Sequence, residues 1–240
     1  SELSVSAEST PSCTVYSPGT KTGGSLDVST STFFLPGTYY FVDVEITITG
    51  PALVGMIDGA PRVPAGCETQ AAAHEGGAVW VFGGSSTLLV DKGDVDFYPL
   101  TLGTGATAHD VSLMAFTTAT GGFAASTVDP NDTELVNRKN PTQSSLSFHG
   151  LVWAPGSWLN TGSSTTSGGA RLEFLGGLTL ARATLETAAN VDGFNISVPV
   201  RLVKYHLIEV TAVRNGTTKV RTVSRHPSTG LQVLTWRVVG

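Results

Sequence analysis

Apolar and polar residues alternate with a period of two along most of this chain, the signature of strands that bury one face. After the Pro36-Gly37 turn, the stretch Tyr39-Tyr40-Phe41-Val42-Asp43-Val44-Glu45-Ile46-Thr47-Ile48 reads as one strand. Downstream, Ala78 to Phe82 ends at Gly83-Gly84, Thr87 to Val90 ends at Asp91-Lys92-Gly93, and Asp94 to Tyr98 ends at Pro99. Further short strands are predicted at Val111 to Phe116, Leu146 to Trp153, Arg171 to Leu175, Leu178 to Leu180, Thr184 to Glu186 and Phe194 to Val198. Brief runs separated by Gly-rich corners suit a strand solenoid better than long hairpins, although no strict repeat period is present.

The last forty residues differ. Lys204 to Arg214, the Asn215-Gly216 pair and Lys219 to Val223 give the strongest hairpin signal, because Asn-Gly accepts the positive φ angles of a tight two-residue turn. A final strand is predicted from Leu231 to Val239. Ala119 to Gln143 has no apolar period and reads as a protruding loop, Asn160 to Gly169 as a Thr/Ser/Gly corner, and only Glu68 to His74 has the composition of a helical turn or two. The expected fold is therefore all-β: an N-terminal cap segment over residues 1–30, a parallel β-helix or solenoid body over 31–200, and an antiparallel annex over 201–240, with a β-sandwich as the alternative.

Composition strengthens the β reading and excludes several classes. The 240 residues are enough to bury a core, charged residues are only 14%, and 28 Gly with 12 Pro supply many corners. Mean hydropathy of +0.13 argues against disorder. No apolar run reaches the roughly 18 residues that span a bilayer, and no secretory signal is read. Net charge is −5 but polarised: residues 201–240 carry seven basic side chains against the single acid Glu209, a net +6, which leaves −11 for residues 1–200. Such a molecule could stack head to tail or present its C-terminal end to an anionic surface, or simply carry a solvated hairpin face. The acidic pI near 5.5 disfavours nucleic acid as a partner. Cys13 and Cys67 are the two cysteines, and a bridge between them would tie the N-terminal segment onto the body, as exported proteins often do; the alternative is two buried thiols.

Certain strings carry a resemblance. Phe-Leu-Pro-Gly-Thr-Tyr-Tyr-Phe within 31–50, Gly-Gly-Ala-Val-Trp-Val-Phe-Gly-Gly-Ser-Ser within 76–99, and Phe-His-Gly-Leu-Val-Trp-Ala-Pro-Gly-Ser-Trp within 146–160 resemble a family of actinobacterial cell-surface proteins. Cys13 followed by Val15-Tyr16-Ser17-Pro18-Gly19-Thr20, and the stretch from Gly176 to Arg182, are similar too. The resemblance covers roughly residues 12 to 200 and lies in structural corners. It implies a β-helical ectodomain that follows a pilin-type N-terminal helix, displayed at the cell surface or on a pilus, with other pilins or envelope proteins as partners, and surface glycans as further candidates. That helix has no counterpart in these residues, so membrane attachment is only what the resemblance implies. It supplies no catalytic residue.

Searching for chemistry yields little. There is no Gly-x-Ser-x-Gly elbow, no phosphate-cradling loop, and His74-Glu75 is followed by Gly76-Gly77 where a zinc-protease helix would continue. His74, His109, His149, His206 and His226 are scattered singly. Two acidic clusters, Asp91, Asp94 and Asp96, and Asp129, Asn131, Asp132 and Glu134, offer hard oxygen ligands for calcium, against a plain reading as solvated surface. The first could also serve a polysaccharide-active β-helix enzyme, with Lys92 its one basic neighbour. Thr47, Thr49, Thr87, Thr179 and Thr184 form no Thr-x-Thr array of the ice-binding kind. Trp153 and Trp158 flank Ala154-Pro155-Gly156 and are candidates for stacking on sugars or packing a partner, against a reading as corner packing. The expectation is a non-enzymatic, extracellular structural and interaction module without a cofactor.

Overall fold

The computed structural model describes residues 1–57, 59–60, 62–90, 93–105, 108–116, 134–137, 144–160, 170–184, 193–196, 207–214, 217–225 and 232–238. The protein is mostly β. One sheet takes, in spatial order, β1 (Ser4–Val5), β2 (Thr14–Ser17), β5 (Thr32–Phe34), β8 (Ala52–Val54), β11 (Val95–Phe97), β15 (Ser144–Phe148), β17 (Ala170–Phe174) and β19 (Gly193–Ile196). A second runs β3 (Thr20–Thr22), β6 (Gly37–Val42), β9 (Ala78–Gly83), β13 (His109–Ala115), β16 (Leu151–Asn160), β14 (Glu134–Asn137), β10 (Thr87–Val90), β7 (Glu45–Ile48) and β4 (Ser25–Val28), with β12 (Leu100–Leu102) beside β13 and β18 (Leu178–Thr184) beside β16. Within these sheets every described strand pair is parallel except β1–β2 and β12–β13. The third sheet is antiparallel, β20 (Leu207–Arg214), β21 (Thr217–Arg225) and β22 (Gln232–Val238). Helix is confined, among the described residues, to α1 (Glu68–Ala73), inside the predicted 68–74 window.

Parallel register stacks like on like. In the first sheet Tyr16, Phe34, Val54, Phe97, Phe148, Phe174 and Ile196 occupy one continuous ladder. Its rings stack at 5.0 Å (Tyr16–Phe34), 4.6 Å (Phe97–Phe148) and 5.3 Å (Phe148–Phe174). Val54 interrupts the aromatic run, and Trp80 from β9 fills the space, its ring 4.9 Å from both Phe34 and Phe97. Aliphatic side chains from β4, β7 and β10 of the second sheet join them, with Leu26, Ile46 and Leu88 on one row and Val28, Ile48 and Val90 on the next. Phe34, Val54, Trp80, Phe97, Phe148, Phe174 and these aliphatic residues form one buried cluster, with Tyr16 packed against it.

The predicted strand over 39–48 is two strands, and the reason lies at Asp43. Asp43 has φ 57, in the left-handed region, and its Oδ1 accepts hydrogen bonds from the Ser85 N–H (2.8 Å) and Oγ (3.1 Å) across the corner. Aspartate tolerates this conformation because its short polar side chain bonds locally. Beside it the buried Ser86 Oγ accepts from the Val44 N–H (3.1 Å) and lies 2.8 Å from the Gly83 carbonyl. The alternation therefore changes phase: Tyr39 and Phe41 point inward before the corner, Val44, Ile46 and Ile48 after it, and Tyr40 and Val42 are left facing outward.

Other expectations shift similarly. Leu146 to Trp153 divides into β15 and β16 at His149-Gly150, and Leu178 and Thr184 belong to one strand. The predicted loop over 119–143 contains β14, which pairs with β10 and β16; its remaining described portion is nil. Residues 161–169, within the predicted corner, and the Asn215-Gly216 turn lie outside the described residues, while the strands flanking that turn pair antiparallel as the hairpin signal predicts. β2, β3 and β4, within the expected cap, pair in parallel with β5, β6 and β7 of the body.

Truncating Trp80 to Ala removes a ring that bridges Phe34 and Phe97, and is expected to cost about 3–5 kcal/mol, read as a lowered urea midpoint with an unchanged m-value.

Candidate functional site

Three features on the outside of the body could carry function, and each follows from side chains that the inward ladders leave pointing out. The first is apolar and is closed by a staple. Val15, Phe33 and Leu53 lie on the outward face of β2, β5 and β8, and the excursion between β8 and β9, with α1, folds over them. Cys13 and Cys67 are disulfide-bonded, their Cα atoms 5.1 Å apart, and pack with these residues, Ala71 and Tyr98 in a second buried cluster. The bridge joins the residue before β2 to the residue before α1. His74 Nε2 lies 2.7 Å from Glu8 Oε2, a further tie between the same two segments.

Beyond the staple the outward face turns polar. Asp96, Ser147 and Glu173 stand in register on β11, β15 and β17. Asp96 has only 4% of its side chain exposed, and its Oδ1 lies 3.4 Å from His149 Nε2; Ser147 Oγ donates to Glu173 Oε2 at 3.1 Å. The Tyr98 ring stacks on His149 at 4.3 Å. Next along, Asp94 Oδ1 accepts from the Ser145 N–H (2.9 Å) and Oγ (2.7 Å), while Arg62 Nη1 donates to Ser145 Oγ and lies 4.0 Å from Asp94. Arg62 thereby ties the stapled excursion to β15. One oxygen of Asp94 and one of Asp96, Oδ1 in each, thus faces a protein partner, the Asp94 side chain stays about half exposed, and no three His, Cys, Asp or Glu gather at metal-binding distance among the described residues. Asp91, Asp129, Asn131 and Asp132 lie outside the described residues.

The third feature is an apolar stripe. Tyr40, Val81, Met114, Trp153 and Thr179 are in register on β6, β9, β13, β16 and β18. At roughly 4.8 Å per step that row runs about 19 Å. Tyr40 is 48% exposed, and beside the row Val42 is 37% and Phe116 42% exposed, with the Phe116 ring 5.4 Å from Trp153. Trp153 is half-buried. Its predicted companion does not share this row: Trp158 stands farther along β16, opposite Glu134 and Arg182, and the Ala154-Pro155-Gly156 turn is part of the strand, with a register shift across it. Thr47 has Asp27 and Leu89 for neighbours, and Thr87 has Glu45, so these threonines form no array.

Sequence reasoning passed over Tyr40, Phe116, Arg62, Ser145, Ser147, His149 as a partner, and Glu173. The polar positions Ser145, Ser147 and His149 alternating with Leu146 and Phe148 were the available signal for the polar ladder. Nothing marked Arg62, which acts from a distant excursion. No protein-family model, curated protein or solved structure matches the chain.

Two measurements probe the stapled side. Replacing Cys13 and Cys67 together with Ser releases a closure of 54 residues in sequence, expected to lower stability by about 4 kcal/mol, and reduction of the native chain should raise its mass by about two hydrogens. Burial raises the phenol of Tyr39 well above its ordinary 10, and burial with the nearby Asp96 charge pushes Tyr98 up to about 12, Arg62 opposing. Both are raised in the folded chain, so their contribution is complete below pH 10 and is lost as pH rises toward 12 and beyond. Phenolate absorbance and circular dichroism followed together should therefore show these two rings ionising only as the fold melts.

Proposed function

We propose that the protein is a non-enzymatic extracellular structural and interaction module, a surface-displayed ectodomain of the pilus-tip or envelope type, whose body is a parallel β-helix. Three observations support the winding: from β2 onward the first sheet's ladders are parallel, its neighbouring rungs come from successive stretches of chain, and each return to it passes through the second sheet. The disulfide is in keeping with an oxidising compartment.

The observation that carries the functional reading is the outward stripe of Tyr40, Val42, Val81, Met114, Phe116 and Trp153. An apolar row that is half-buried at Val81, Met114 and Trp153 and exposed at Tyr40, with Val42 and Phe116 exposed beside it, suits contact, and its aromatic rings fit the apolar faces of sugars or a partner's side chains. One observation favours the polysaccharide-active alternative: Asp96 and Glu173 sit two rungs apart, roughly 10 Å between backbones, on one outer face. Against it, both carboxylates are buried and engaged, Asp96 near His149 and Glu173 with Ser147.

The test uses Trp153→Ala and Phe116→Ala, singly and together, in binding to a glycan array and in capture by purified envelope proteins. Each single change is expected to weaken binding about tenfold, the scale of an aromatic hot spot, with Tm little altered. Depolymerisation of any glycan by the native protein, abolished in Asp96→Asn, would replace this reading with the enzymatic one.

A further inference from the structure

The N-terminal end of the two large sheets is closed on two sides and open on the third. β1 lies antiparallel along β2, pairing Ser4 with Ser17 and Val5 with Tyr16. Residues 1–3 cover β3: Glu2 bridges Thr20, the Leu3 N–H donates to the Thr20 carbonyl (2.9 Å), and the Thr20 N–H to the Ser1 carbonyl (3.0 Å). β4 ends its sheet, with β7 as its sole partner among the described residues. The Gly24 and Val28 carbonyls accept from the Glu45 N–H (3.0 Å) and Thr49 N–H (2.8 Å) of the β7 side. Alternate residues of a parallel strand turn to the same neighbour, so the backbone groups of Ser25 and Asp27 point off the edge. Beside this edge opens a cleft of about 480 Å³ with Leu3, Val5, Tyr16 and Leu26 as its apolar lining and Glu2 and Lys21 among its polar residues. One short strand with an inward apolar side chain is what the end lacks.

We infer that this edge accepts β22 of a second copy, so that molecules associate head to tail. Charge selects that occupant. The open edge is acidic on its outer side, with Asp27 and Glu45 exposed, and belongs to the part of the chain carrying −11. Residues 201–240 carry +6, and the antiparallel sheet they contain has, among the described residues, two edges, β20 and β22. β20 contains Glu209, whereas β22, Gln-Val-Leu-Thr-Trp-Arg-Val, contains Arg237 and no acid. Another copy's β4 edge is a poorer occupant, since it would set Asp27 and Glu45 against their own like charges. Strand addition supplies main-chain hydrogen bonds and the alternating side chains supply selectivity. A head-to-tail contact leaves one edge free at each end and therefore propagates.

The experiment is sedimentation of the full chain over a concentration series at low and high salt. The native protein should form species beyond a dimer, at least tenfold less readily at 1 M salt, where the screening length falls to about 3 Å. Asp27→Pro removes the edge N–H without touching the bonds to β7 and should abolish association at unchanged Tm. Asp27→Lys and Arg237→Glu should each weaken it at least tenfold, and mixing the two variants should restore it. A native protein that stays monomeric at its solubility limit, an Asp27→Pro variant that associates like the native chain, or a mixture no better than its components would overturn the inference. Trp153→Ala should associate normally, which separates this contact from the apolar stripe.

Discussion

Parallel register is the constraint on which everything else depends. Where strands pair in parallel and in register, a residue's neighbours are fixed one rung above and below, so each row must be filled with side chains that pack on copies of their own kind. Here the rows are Tyr16-Phe34-Val54-Phe97-Phe148-Phe174-Ile196 on one side and Leu26-Ile46-Leu88 on another. Stacked rings at 4.6–5.3 Å match the spacing of the strands themselves, which is why aromatic rows fit this geometry without strain. Where the row falters at Val54, a larger residue from the neighbouring sheet, Trp80, restores the density.

With the interior occupied by rows of side chains, the outside decides what the protein can do. Its three outward treatments differ in physical kind. Apolar outward residues at Val15, Phe33 and Leu53 are withdrawn from water by a stapled excursion. Polar ones at Asp96, Ser147 and Glu173 are satisfied by one another, by His149 and by the network around Ser145 and Arg62. The stripe through Tyr40, Val81, Met114 and Trp153 keeps exposed rings at Tyr40 and Phe116. On this outside the buried carboxylates have partners within the chain, while the rings of Tyr40 and Phe116 stay in water.

The polar ladder also explains how Asp94 and Asp96 come to have partners within the chain. Asp94 and Asp96 flank Val95, whose inward direction turns both carboxylates out onto the sheet, where the next rung presents Ser145, Ser147 and His149. A carboxylate as buried as that of Asp96 needs such neighbours, because leaving its charge unpartnered away from water costs several kcal/mol.

Much was determined by the sequence by itself: the β class, the positions of most middle strands, the short helix at Glu68, the antiparallel pairing around Asn215-Gly216 and the candidacy of Cys13 with Cys67. All of these are set by neighbours within a few residues, or by residue types so few that they have one choice of partner. The tertiary structure alone decided which face of a strand points inward, because the phase change at Asp43 depends on Ser85 and Ser86 forty residues away. For the same reason it alone placed Phe116 beside Trp153 and Tyr40 three rungs along the same row, separated Trp158 from that row, and carried Arg62 to Ser145. Alternation tells that a strand has two faces; only the rungs stacked on it say which one meets water.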